Sequence, residues 1–236
     1  MDQLRIPADI ATRLRVLSAD LNTLAARGGG SITDGVFSIV TGGVLIGLGV
    51  VFSTQDGLTF LAPQFYVFGS VSVGRGLIDV AVVPDPSDVM LEYGHMPMTS
   101  VEQVKARLRF GEVGLEDLAD RNRLARLLDG ALNLGAGATL IGLTLSANDS
   151  DNPDPNRTAS LIMGVLGATT LGLSGVVSLL STSDAERRWE AYSGLRDRLG
   201  RERALRRERQ THSAQTVSFV PVVTPDLAAA VLTVRF

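Results

Sequence analysis

Four long apolar stretches, arranged as two copies of one unit, constrain this chain more than any other feature. Residues 34–52 read DGVFSIVTGGVLIGLGVVF, and residues 129–147 read DGALNLGAGATLIGLTLSA. The two align without a gap at an offset of 95: Asp34, Gly35, Gly42, Leu45, Ile46, Gly47 and Leu48 match Asp129, Gly130, Gly137, Leu140, Ile141, Gly142 and Leu143. Each copy is followed by a polar turn and a second apolar stretch, Thr59 to Val83 in the first and Ala159 to Leu180 in the second. At the same offset Gly69 matches Gly164. With a one-residue insertion Ser87-Asp88 lines up with Ser183-Asp184, and Tyr93 with Trp189. The repeated unit is a hydrophobic helical hairpin followed by an amphipathic helix.

A helix that crosses a bilayer needs roughly 20 apolar residues, and each of the four stretches is about that long. Small residues four apart, Gly43 with Gly47 and Ala138 with Gly142, allow helices to approach closely; Gly164 and Gly172 extend the pattern into the fourth stretch. Two environments fit such helices, a membrane and the interior of a tightly packed soluble assembly. Arg75 and Asp79 interrupt the second stretch, and their spacing of four predicts a pair on one helical face. An ionisable group at membrane depth must be paired or face protein.

The flanking segments are polar. A stripe of Ile10, Leu14, Leu17, Leu21 and Leu24 predicts a helix over 8–27, ended by Gly28-Gly29-Gly30. Thr33 or Asp34 is placed to cap the helix that follows. In the connector, Ser100 to Arg109 and Leu115 to Leu128 read as two amphipathic helices separated by Gly111 and Gly114, with Thr99 or Ser100 at the start. Residues 185–210 read as an arginine-rich helix interleaved with acids, in which Trp189 and Tyr192 are candidate interface anchors. The domain reading is an N-terminal amphipathic helix (1–33), a first hairpin repeat with connector (34–128), a second repeat with the basic helix (129–210), and a tail (211–236).

The tail changes character. Gln215 to Val223 is rich in β-branched residues, Thr224-Pro225-Asp226 is a turn signal, and Ala228 to Phe236 alternates. This predicts a β-hairpin. The fold class is therefore mainly α, two repeated hydrophobic hairpins with amphipathic connecting helices, plus a C-terminal β-hairpin.

Charge and composition exclude several functions. A net charge of −3 gives no field for nucleic acid. There is no cysteine and there are two histidines, His95 and His212, so no thiolate metal site or histidine-rich centre is available. Asp149, Asp151 and Asp154 share a loop that lacks the glycine and terminal glutamate of a calcium loop. No nucleophile elbow, phosphate loop or dinucleotide fingerprint is present. The sequence thus implies no catalytic residue, cofactor, metal or small-molecule substrate, and points to membrane lipid and further copies of the chain as partners. The two hairpin turns contain almost no Lys or Arg, which places both termini and the connector in the cytoplasm if the hairpins cross an inner membrane. Residues 1–20 have no continuous apolar run of the kind that marks a secretory signal.

Leu232, Val234 and Phe236 resemble the last strand of bacterial outer-membrane β-barrel proteins. A hairpin has too few strands to close a barrel, so that resemblance implies a barrel shared by about four chains. The group Ser183-Asp184-Ala185-Glu186, followed by Arg187, Arg188, Trp189 and Tyr192, together with the glycine-rich hairpins and the Phe-ended tail, resembles myxobacterial-type cell-envelope proteins. That resemblance implies a non-enzymatic, homo-oligomeric, structural or pore-like envelope component, with an outer-membrane location favoured. The alternatives are a four-helix inner-membrane adaptor or transporter component and a soluble helical shell protein.

Overall fold

The spacing of glycine sets the architecture. The computed structural model describes residues 6–28, 31–148, 157–214, 216–224 and 227–235. It is mainly α-helical, with α1 (Ala8–Gly28), α2 (Ser31–Ser53), α3 (Ala62–Ala81), α4 (Pro86–His95), α5 (Val101–Asn148), α6 (Arg157–Leu180) and α7 (Asp184–Ala214). The chain divides into two compact units, 1–190 and 191–236, with the boundary inside α7. In the second unit the backbone of β1 (Thr216–Thr224) and β2 (Leu227–Arg235) pairs antiparallel, from Thr216 opposite Arg235 to Thr224 opposite Leu227. Phe236, Pro225, Asp226 and the acidic loop with Asp149, Asp151 and Asp154 lie outside the described residues.

In the first hairpin α2 and α3 run antiparallel and touch through backbone. A methyl group on Gly42 would sit 2.5 Å from the Gly69 carbonyl, and one on Gly69 would sit 2.7 Å from the Gly42 carbonyl. One turn pair away Gly35 faces the Gly76 carbonyl, and in the other direction Gly49 faces the carbonyl of Ala62. The contacts recur every seventh residue on each helix, the period that keeps one seam facing its partner. The second hairpin repeats the device with Gly130 against Gly175 and Gly137 against Ala168. Phe52 and Phe65 stack edge to face at 4.9 Å at the tip of the first hairpin. There Gly57, at φ +85°, takes the left-handed turn that a side chain disfavours. Thr59–Leu61 forms a short 3-10 turn, and Pro63 falls in the first turn of α3, where its missing N–H costs nothing.

The contacts correct the repeat alignment. In the second half of the unit the structural offset is 99: Gly76 corresponds to Gly175, Gly69 to Ala168, and the fully buried Tyr93 to the fully buried Tyr192. Gly164, matched to Gly69 by sequence, instead faces Thr144. The reason is that helical seams fix equivalence by which residues touch, and a difference of one helical turn is invisible in a low-complexity apolar string.

A second correction concerns the connector. The expected pair of helices and the following apolar stretch are one unbroken 48-residue helix, α5, about 72 Å long at 1.5 Å per residue. Gly111 and Gly114 do not break it. A methyl group on Gly111 would collide with Leu17 and Tyr93, and one on Gly114 with Val89, so both glycines admit α1 and α4 against α5. Leu17, Leu21, Tyr93, Val104, Leu108, Leu115 and Leu118 are among the buried side chains of these elements. Arg107 lies 4.4 Å over the Tyr93 ring and donates to the Met96 carbonyl at 3.0 Å. Burial pushes the Tyr93 phenol above its ordinary pKa, and Arg107 opposes that shift.

The expected helix starts at Ser100 and Ser183 are present with reciprocal side-chain bonds. Gln103 and Ser100 exchange bonds at 3.2 Å, and the Glu186 N–H donates to Ser183 Oγ at 3.1 Å while Glu186 accepts from the Ser183 N–H at 3.4 Å. The α2 helix starts earlier than expected, at Ser31, which leaves Asp34 in its first turn rather than as the cap.

Replacing Gly42 with valine should lower stability by about 1–3 kcal/mol through overpacking against backbone. Gly43→Val, which meets open space, should leave the melting temperature nearly unchanged. Thermal unfolding of the two purified variants in detergent makes the comparison, and equal effects would contradict the seam.

Candidate functional site

Asp129 is the junction of the first unit. It lies on α5 at the point where the repeat begins, and its side chain is only 11% exposed. Its carboxylate accepts from Ser178 Oγ of α6 at 2.6 Å and from Asn133 Nδ2, one turn along α5, at 3.1 Å. Arg75 of α3 completes the set at 3.3 Å. One carboxylate therefore ties together three of the four hairpin helices. Arg75 and Asp79 lie one helical turn apart on α3, as expected, but the salt bridge that Arg75 makes crosses the repeats to Asp129 on α5.

A second bridge closes the same end. Arg126, one turn before Asp129, grips Glu186 of α7 through both nitrogens at 3.1 and 3.2 Å. It also donates to the carbonyls of Leu179 and Ser178 at 2.6 and 3.1 Å. Those carbonyls belong to the last turn of α6, where no intrahelical donor remains and a cation is favoured. Arg188 pairs with Asp20 at 2.6 Å, and Arg27 with Asp184 at 2.7 Å. Hydrogen bonds from Arg187 and then Arg27 hold the Asp184 carboxyl below its ordinary pKa.

These groups border a cleft of about 460 Å³ whose lining includes Arg27, Arg75, Arg126, Asp34, Asp79 and Asp129. Three cations and three carboxylates face one space, so the cleft is polar but close to neutral. Among the described residues no group of three or more His, Asp or Glu side chains converges as a metal site. Farther along the same α3–α5 interface is an apolar groove of about 490 Å³, lined by Tyr66, Val67, Ser70, Val71, Leu132, Ala136 and their neighbours. Beside it Val67, Val71, Leu140, Ala168 and Leu171 form a small core, with Phe68 packed on it.

The glycines singled out in the sequence divide by position. A methyl group added at Gly43, Gly47, Gly142 or Gly172 would meet open space, although the Gly172 backbone nitrogen lies 3.4 Å from a methyl group placed on the seam residue Gly137; Gly164 is packed against Thr144. Of the two candidate interface anchors, Tyr192 is buried and Trp189 is half-buried. For Leu232 and Val234 the backbone pairs them with Phe219 and Val217. Sequence reading missed Asp129, Ser178 and Arg126 as a set. The available signal was the repeat itself, which places Asp129 at the position of Asp34.

Around these polar groups the chain is apolar outward. Among the described residues four helical segments are long and apolar enough to cross a membrane, and only 17–33% of each apolar window is buried within the chain. Phe37, Val40, Val44, Leu173, Val177 and Leu180 are all exposed. Comparison with protein-family models, with curated proteins and with solved structures finds no match.

Asp129→Ala removes the acceptor for Ser178 and Asn133 and should cost about 1–3 kcal/mol. Arg75→Ala, at a half-exposed position, should cost less than about 1 kcal/mol. The two melting temperatures rank them, and a larger loss for Arg75 would contradict the assignment of Asp129 as the junction.

Proposed function

We propose that the chain is a non-enzymatic membrane protein with four helical spans, assembling with further copies of itself as a structural or pore-like component. The observation that carries this reading is the distribution of polarity along the hairpins. The outer faces of α2, α3, α6 and the second half of α5 are apolar, while charged side chains gather at the end where α2 starts and α3 and α6 finish. In water such faces would be an aggregation hazard; in lipid they are the solvated surface. At 23, 20 and 24 residues, α2, α3 and α6 match the length that a bilayer core requires.

Orientation follows from the basic residues. The first hairpin turn has no Lys or Arg, and Arg157 is the basic residue at the second, whereas the connector and α7 are rich in them. The proposed topology puts the charged cleft, α1, α4, the first half of α5 and α7 on the cytoplasmic side of an inner membrane. Open space at Gly43 and Gly47 on α2 offers a close-approach surface for another copy. The paired strands β1 and β2 would join neighbouring subunits. An outer-membrane location with a barrel shared among subunits is the second reading, supported by the nine-residue length of each strand, which is just sufficient for a transmembrane strand.

The chain has no cysteine, so single reporters can be introduced without background. Ser53→Cys should react with a membrane-impermeant maleimide in intact cells, and Thr99→Cys only after permeabilisation. Recovery of the chain in the supernatant after high-speed centrifugation would overturn the membrane reading, and labelling of both sites from one side would overturn the topology. Gly43→Phe combined with Gly47→Phe should reduce the size of the detergent-extracted complex without lowering the melting temperature; an unchanged size would count against assembly through α2.

A further inference from the structure

The charged cleft and the apolar groove are two stretches of one seam. On α3 the lining passes from Val67 and Val71 in the groove to Arg75 and Ile78 in the cleft. On α5 it passes from Thr139, Ala136 and Leu132 to Asp129 and Ala125. Each series advances by three or four residues, so each is a single stripe of its helix. Leu132, packed against Gly74, sits where the two stretches meet. From Asp129 to Thr139 the stripe rises about 15 Å, into the apolar layer of the proposed bilayer.

The cleft end is chemically asymmetric. Arg126 and Arg27 are committed to Glu186 and Asp184. Arg75 bridges Asp129 yet remains 54% exposed. Asp34 and Asp79 line the same cleft and are neighbours, since the Asp79 Cβ lies against Gly35; with Asp129 they set three carboxylates around Arg75, the lining cation that is not committed to α7. A ligand that fits therefore presents a cation to Asp34 and Asp79, an anion to Arg75, and an apolar chain to the groove.

We propose that this seam is a binding site for one phospholipid with an ammonium-bearing headgroup of the ethanolamine class. The ammonium donates to Asp34 and Asp79, the phosphate accepts from Arg75, and one acyl chain lies between α3 and α5 against Val71, Leu132 and Ala136. The site rests on the membrane reading above, because the groove opens to lipid only if the hairpins lie in a bilayer.

The full chain, reconstituted in nanodiscs of equimolar phosphatidylethanolamine and phosphatidylglycerol and then re-extracted, is assayed for retained lipid by mass spectrometry. The wild-type chain should retain phosphatidylethanolamine above its bulk ratio. Asp34→Asn with Asp79→Asn should reduce that preference about tenfold, the equivalent of one charge-assisted hydrogen bond. Ala136→Phe, which fills the groove, should reduce retention of both lipids. Bulk-ratio retention by the wild-type chain overturns the proposal without recourse to any variant, as does an undiminished preference in the double asparagine variant or full retention by Ala136→Phe. A chain that labels as four-span and shows no enrichment loses the lipid site alone, whereas one absent from membranes loses both readings.

Discussion

Backbone-to-backbone approach at every seventh residue is the constraint from which the first unit is built. Gly35, Gly42 and Gly49 bring α2 against α3 so closely that a single methyl group at Gly42 would meet a carbonyl at 2.5 Å. Contact of this kind draws on dispersion and on the absence of side-chain ordering, and it does not need water to drive it. The seam consumes small residues and leaves the large apolar ones pointing outward. The same choice therefore explains both the tight hairpin and the exposed Phe37, Val40 and Val44.

The two hairpins need a separate connection, because their facing surfaces form only a small core around Val71, Leu140 and Leu171. Asp129 supplies it. The residue belongs to the repeat, but its partners do not: Arg75 has Ser174 at the corresponding place in the second copy, and Ser178 stands where the first copy has Asp79. Duplication produced two similar hairpins; divergence at these positions made one of the two aspartates a link and left the other, Asp34, facing the cleft.

Much of the helical layout was legible in the residues. The stripe of α1, the polar turn at Gly57, the proline at the start of α3 and the Ser-x-x-Glu start of α7 each reflect a local rule, and local rules survive folding. The reading failed where a glycine had two meanings. Gly111 and Gly114 look like helix breakers by propensity, which costs only about 1 kcal/mol each, and packing of Leu17, Tyr93 and Val89 against them outweighs that cost. Glycines spaced by four drew attention because that spacing is familiar, yet the intrachain seam uses a spacing of seven. Asp129 was hidden because its partners come from α3 and α6, and nothing in a one-dimensional string pairs them.

The continuity of α5 has a mechanical consequence. With its first half clamped by α1 and α4 and its second half forming one wall of the second hairpin, this helix has no hinge along its 48 residues. A tilt or rotation of the apolar half is carried as rigid-body motion into the polar half, where Glu112 holds Arg13 of α1. The polar platform and the second hairpin thus share one axle, so that neither can turn about it without the other.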